Sequence, residues 1–268
     1  MDTRANDLTR QIAVISAVVF MLIAAAVGTG AFGGTPVQDL QGGALDADAT
    51  LLAPATPAFS IWSAIYALLI GYAVWQALPG QRARERQRAL GWWIALTAVL
   101  NGLWLVLAQY ATLPLTVAGI VLLLVALCLT FRRTVAEPGR GVLDSLLIDG
   151  AVGLHLGWVS LATVANVTAW LTVDGPAARA SYGEIAGVVV LIVVGIIGIV
   201  LAVRSGWRTA PGIALAWGLS WLAVGRLTGE PESVVIGITA SVVAVVVIGV
   251  PLIGTLAHRV IEMRNAEA

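Results

Sequence analysis

Leu154–Leu171 reads LHLGWVSLATVANVTAWL, a stretch apolar enough to lie in lipid yet punctuated by His155, Trp158, Ser160, Thr163, Asn166 and Thr168. Its length and composition make it a membrane-spanning helix. At about 3.6 residues per turn, Trp158, Ala162 and Asn166 fall at i, i+4 and i+8 and share one stripe. An unpaired amide is costly in hydrocarbon, so Asn166 must face protein, water or a ligand. An indole, a small residue and an amide in line suit the wall of a pocket. Polar residues in membrane helices also serve simply to bond a neighbouring helix. Partners on other helices decide between the two.

Working outward, 59% of the 268 residues are hydrophobic and 11% are charged, which excludes an ordinary soluble domain. At about 20 residues per span, this length allows up to about eight membrane helices. The net charge is zero, so bulk electrostatics point to no nucleic-acid partner. All fifteen basic residues are arginine, which we read as genome base composition. The single Cys128 cannot form an intrachain disulfide, and it gives no metal-ligand spacing with the two histidines.

Eight apolar runs stand out: 11–32, 58–78, 91–110, 113–132, 146–171, 185–204, 211–226 and 233–257. The first is too long for a signal-peptide core and reads as a membrane helix. The expected fold is therefore all-α, a polytopic membrane helix bundle of about eight transmembrane helices. If all eight span, thirteen arginines share one side, and only Arg179 and Arg226 fall on the other. The positive-inside rule then places both termini in the cytoplasm and the chain in the cell membrane. The longest outer loop, Gly33–Pro57, carries Asp39, Asp46 and Asp48 without a basic residue. It opens with Gly33-Gly34-Thr35-Pro36, so turns rather than a helix are expected there. Loops of this length are often lids or binding loops.

Trp62, Trp104, Trp158, Trp217 and Trp221 lie inside the runs, whereas Trp75, Trp92, Trp93, Trp170 and Trp207 sit near their ends as interfacial anchors. Phe59, Trp62 and Tyr66 fall at i, i+3 and i+7, and Asn101 and Trp104 at i and i+3. Counting about 1.5 Å of rise per residue, Trp62, Trp104 and Asn166 lie roughly 6–9 Å below the outer surface, with Trp158 deeper. The expected arrangement is an outward-facing aromatic cavity with two amides beneath the long loop. Such a cavity suits a flat, mostly apolar ligand with a few polar edges.

Three pieces resemble the TspO/MBR family, the tryptophan-rich sensory proteins related to the translocator (peripheral benzodiazepine receptor) protein. Trp158-x-x-Leu161-Ala162-x-x-Ala165-Asn166 is similar to the family's W-x-x-F-A-x-x-L-N in the fifth helix. Leu100-Asn101-x-x-Trp104 resembles its L-N-x-x-W, and Ile61-Trp62-x-x-Ile65-Tyr66 its V-W-x-x-L-Y. The pieces occur in the family's order, and the long first loop is a family feature too. The resemblance covers about residues 11–171. It implies a five-helix TspO-like core over residues 1–171, with residues 172–268 as a three-helix extension that has no counterpart in the five-helix family. The family's W-x-P-P is represented only by Pro54-Ala55-Thr56-Pro57, and its Pro-Tyr before the fifth-helix Trp is Leu154-His155 here. No cholesterol-recognition pattern is present.

The resemblance implies binding of a porphyrin or other tetrapyrrole, or a similar apolar ligand, in a sensor or transport-accessory role. The expected ligand-binding residues are Phe59, Trp62, Tyr66, Asn101, Trp104, His155, Trp158, Ala162 and Asn166. His155 could bond a tetrapyrrole carboxylate or ligate haem iron, or be a neutral histidine bonded to another helix. No resident cofactor or metal is implied; porphyrin or haem would be a ligand. A Trp158→Ala change is expected to weaken binding without unfolding the protein. Relatives are often dimers, and Gly153-x-x-x-Gly157 is a small-residue pattern that could face a second copy in the lipid bilayer. Two alternatives are a secondary transporter and a porphyrin-degrading enzyme. Against the first, no acidic or lysine residue lies deep in a run. Against the second, no hydrolase or metalloprotease motif occurs. No catalytic residue is therefore assigned. The last three runs, with Gly195 and Gly198 and with Trp217 and Trp221 at i and i+4, read as a closely packed bundle.

Overall fold

The computed structural model describes residues 3–30, 36, 39–173 and 183–266. Eight long helices make the fold, with no strand among the described residues. They are α1 (Thr3–Gly28), α2 (Ile61–Ala77), α3 (Glu85–Tyr110), α4 (Leu113–Ala136), α5 (Ala151–Val173), α6 (Gly183–Arg204), α7 (Ala210–Thr228) and α8 (Val234–Ala266). A 3₁₀ turn, Thr56–Ser60, leads into α2, and a π-helical turn, Ser145–Gly150, leads into α5. Pro114 and Pro211 lie in the first turns of α4 and α7, where a missing N–H breaks no helical bond. The turn expected at Gly33-Gly34-Thr35-Pro36 lies outside the described residues except for Pro36, and Arg179 also lies outside them.

Seven of these helices are long and apolar enough to cross a membrane; α7 is the exception among the eight expected spans. Its two tryptophans, three glycines and Arg226 dilute its hydropathy over only 19 residues. The packing explains why this is tolerated. α7 lies between α5 and α8, so neighbours rather than lipid cover much of it.

α1, α2, α5, α4 and α3 close a ring, each packing on the next and α3 returning to α1. Ile65, Leu69, Ile94, Leu123, Leu127 and Val159 fill its centre. α8 packs on α7, and α6 packs on α8, around a second core of Leu191, Leu215, Leu219, Ile236 and Val247. α5 serves both cores. Its Trp158 and Val159 belong to the ring, while its Leu161 belongs to the second core; conversely, Ala214 of α7 joins the ring's core.

The α5–α7 approach is close enough to require glycine. A Cβ on Gly157 would lie 2.2 Å from the Pro211 carbonyl oxygen, and one on Gly153 would lie 2.7 Å from the Ala210 Cβ. The small-residue pair read as a possible contact between copies is thus occupied inside the chain. Gly195 and Gly198 serve the α6–α8 contact in the same way, against Val243 and Val247.

The arginine-rich end of the bundle is tied by buried and half-buried ion pairs. Asp149, in the π-helical turn, accepts from Arg86 and Arg208, each at 2.6 Å. Asp7 accepts from Arg10 at 3.0 Å and from Arg88. Because Arg208 precedes α7 and also donates to the Thr134 carbonyl at 2.8 Å, the second core is fastened to the ring at this end.

Gly157→Ala is expected to destabilise the protein by about 1–3 kcal/mol, since the added methyl meets backbone that cannot turn aside. Gly80→Ala, with nothing within 4 Å of its Cβ, is the neutral control. Thermal unfolding of both variants in detergent checks this, and equal midpoints would refute the close approach.

Candidate functional site

The aromatic stripes converge at the end of the ring opposite the arginines, but they line two cavities rather than one. The first is a small chamber of about 40 Å³, walled by Phe59, Trp62, Trp104, Trp158, Ala162, Ala165 and Asn166. Ala44, Leu45, Asp46, Thr50, Ala53 and Pro54 of the long loop roof it. The second is a groove of about 480 Å³ between α1, α2 and α3. It is lined by Leu22, Ala25, Ala26, Thr29, Pro36, Phe59, Trp62, Ser63, Tyr66, Trp104 and Leu105. Phe59, Trp62 and Trp104 line both, so they form the partition.

Ring contacts set the partition's shape. Trp62 stacks on Tyr66 with centroids 5.1 Å apart, and meets Trp158 edge to face at 6.1 Å. Phe59 meets Trp158 edge to face at 5.7 Å. These are favoured geometries for aromatic quadrupoles, each worth about 0.5–1.5 kcal/mol beyond burial. Trp158 is 2% exposed and among the largest fully buried side chains. Its loss to alanine would cost about 3–5 kcal/mol, a large burden for a variant meant to report on binding alone. Trp158→Phe is the usable probe.

The structure separates the expected site residues into four groups. Phe59, Trp62 and Trp104 face both cavities, Tyr66 the groove alone, and Trp158, Ala162 and Asn166 the chamber alone. Asn101 and His155 line neither cavity. Asn101 Oδ1 accepts from the Tyr66 hydroxyl at 3.3 Å and so steadies a groove residue from behind. His155 lies fully buried, edge to face with Trp62 at 5.7 Å. It backs the partition, and Trp62 stands against its ring.

Several polar atoms of chamber residues have no hydrogen-bond partner among the described residues: the indole N–H of Trp104 and of Trp158, the Thr50 hydroxyl and the Asn166 carbonyl oxygen. Asn166 spends its Nδ2 on the Ala162 carbonyl of its own helix at 2.9 Å. Leaving such groups unpaired in a buried site costs about 1–3 kcal/mol each. Two indole N–H groups, a hydroxyl and an amide oxygen are thus left without partners in the chamber's walls. At about 40 Å³ it holds a few atoms and no macrocycle. The groove lies within the roughly 300–1,000 Å³ range of small-molecule sites. No group of three or more His, Cys, Asp or Glu that could hold a metal occurs among the described residues.

Sequence reasoning placed the cavity beneath the long loop without naming the roof residues, and it missed the α1 wall of the groove and the part played by α7. Trp217 and Trp221 line neither cavity. The Trp217 indole donates instead to the Ala58 carbonyl at 2.9 Å, and the Trp221 carbonyl accepts from the Ala55 N–H at 3.2 Å. Arg226 donates to the Thr50 and Ala47 carbonyls at 2.9 and 2.8 Å. Its signal was already present: it is one of two arginines on the loop side of the expected topology.

A family model described as "TSPO-like protein" matches residues 10–253. The match runs well beyond residue 171, where the sequence motifs stop, and takes in α6, α7 and most of α8. No curated protein and no solved structure matches the chain.

Tyr66→Phe, which strips Asn101 Oδ1 of its partner, is expected to cost about 1 kcal/mol, and adding Asn101→Leu should recover part of that loss. Unfolding midpoints of the two single variants and the double variant check this; strictly additive losses would refute the Tyr66–Asn101 bond.

Proposed function

The chain belongs to the TSPO-like protein family and is a multi-pass membrane protein, and on that premise we propose that it binds a porphyrin or a similar flat, largely apolar molecule, as a sensor or transport accessory. The observation that carries this reading is the aromatic partition. Phe59, Trp62 and Trp104 present apolar faces to a groove of about 480 Å³, and the same residues border a chamber whose polar atoms lack partners. The flat body would lie in the groove against Trp62 and Trp104. A polar edge would pass Phe59 and Trp62 to reach Trp104, Trp158 and Asn166 in the chamber when the loop over it lifts. Affinity would come from stacking and apolar burial, and orientation from the few polar contacts. His155 lines neither cavity, so this reading assigns it no bond to the ligand.

We assign no catalytic step. The thirteen arginines gathered at one end favour both termini in the cytoplasm, with the groove and chamber in the outer half of the cell membrane.

Titrating the detergent-purified protein with protoporphyrin IX should quench tryptophan fluorescence saturably, at micromolar concentration. Trp62→Ala should weaken binding about tenfold or more, and Trp158→Phe or Asn166→Ala by about threefold to tenfold, the worth of one hydrogen bond. Unchanged affinity in a folded Trp62→Ala variant would overturn this assignment of the site.

A further inference from the structure

The loop that roofs the chamber packs on the ring through Leu40 and Leu45, but most of its side-chain hydrogen bonds over the roof come from α7. Along the loop, the Ala47 and Thr50 carbonyls accept from Arg226, the Ala55 N–H donates to the Trp221 carbonyl, and the Ala58 carbonyl accepts from the Trp217 indole. These contacts bracket the roof residues Thr50, Ala53 and Pro54. Towards α3 the loop is tethered separately, by Gln41 donating to the Ala108 and Ala111 carbonyls at 2.9 and 2.8 Å.

Arg226 is the unusual member of this set. It is 1% exposed, and among the described residues it forms no ion pair. Three backbone carbonyls, those of Ala47, Thr50 and Glu230, accept from it, and the carboxylates of Asp48 and Glu230 favour its charge from beyond ion-pair distance. An arginine buried for packing alone would carry a large desolvation cost. Here the planar fork spans two turns of the loop at once, which the single point charge of a lysine cannot reproduce.

We propose that α7 is the latch of the binding chamber, with Arg226 and Trp217 as the positioning residues that hold the loop closed, so that exchange of a ligand's polar edge with the chamber is limited by release of these bonds. The ligand part of this inference rests on the proposed function; the latch itself does not. It also gives the last three helices a role: the second core holds α7 in place, and α7 holds the roof. Opening here is a local event, separable from unfolding of the ring.

The test uses Thr50→Cys as a reporter in a Cys128→Ser background, because Thr50 is buried in the roof and its hydroxyl has no partner to lose. Reaction with a water-soluble maleimide is expected to be slow in that parent. It should speed up at least about tenfold with Arg226→Met, since tenfold corresponds to ~1.4 kcal/mol and a charge-assisted hydrogen bond is worth more than that. Arg226→Lys should fall between the two. Trp217→Phe, which leaves Arg226 in place, should give a smaller rise. Ala240→Cys, fully buried in α8, is the control and should stay slow in every background. Equal labelling of Thr50→Cys with and without Arg226, or a parallel rise at Ala240→Cys, would overturn the latch. The release rate of protoporphyrin IX should rise in Arg226→Met as labelling does. If the parent binds no porphyrin, the proposed ligand fails, while the labelling rates still decide the latch.

Discussion

The approach of α5 to α7 at Gly157 is the constraint on which the rest of the structure depends. With no side chain there, the two backbones meet at the Pro211 carbonyl, and α7 is fixed against the outside of the ring. From that position Trp217, Trp221 and Arg226 reach the loop, and the loop reaches over Trp158 and Asn166. A larger residue at 157 would push α7 outward and lift the roof with it. The closed chamber is thus a consequence of helix packing about one turn below it.

The two ends of the bundle are stabilised by different chemistry. At the arginine-rich end, carboxylates are shared between guanidinium groups, with Asp149 between Arg86 and Arg208 and Asp7 between Arg10 and Arg88. At the loop end the buried guanidinium of Arg226 is met by carbonyls. Ion pairs between helix ends and loops give a fixed base. Bonds from one side chain to the backbone of a loop can be released without dismantling a helix. This asymmetry leaves the cavities at one end of the bundle and its ion-paired anchoring at the other.

Much of the fold was legible in the sequence, because spanning lipid demands long apolar runs and those runs are visible as such. Helical stripes also pointed to side chains that gather at one end: Phe59, Trp62, Trp104, Trp158, Ala162 and Asn166 all line a cavity. What could not be read was how space divides among them. Whether Trp62 opens onto a cavity or closes one depends on ring orientations set by Phe59, Tyr66 and Trp158 together, and no periodicity encodes that. Asn101 and His155 were equally plausible by position, yet they lie behind the partition. The role of α7 was hidden for a related reason: hydropathy ranks a helix by its composition and says nothing of which neighbours cover it. Gly153 and Gly157 looked like a face for another copy because the sequence does not state which helix they meet.

The central claim, that one aromatic partition lies between a ligand groove and a latched chamber, is tested most directly by fluorine NMR of 5-fluorotryptophan-labelled protein, its ten signals assigned by single Trp→Phe changes, during addition of protoporphyrin IX. The account predicts that the Trp62 and Trp104 signals move first and furthest, that Trp158 follows, and that Trp92, Trp170 and Trp207 at the helix ends stay in place. Shifts confined to those helix-end tryptophans, with Trp62 and Trp104 unmoved, would place the ligand on the lipid-facing surface and contradict it.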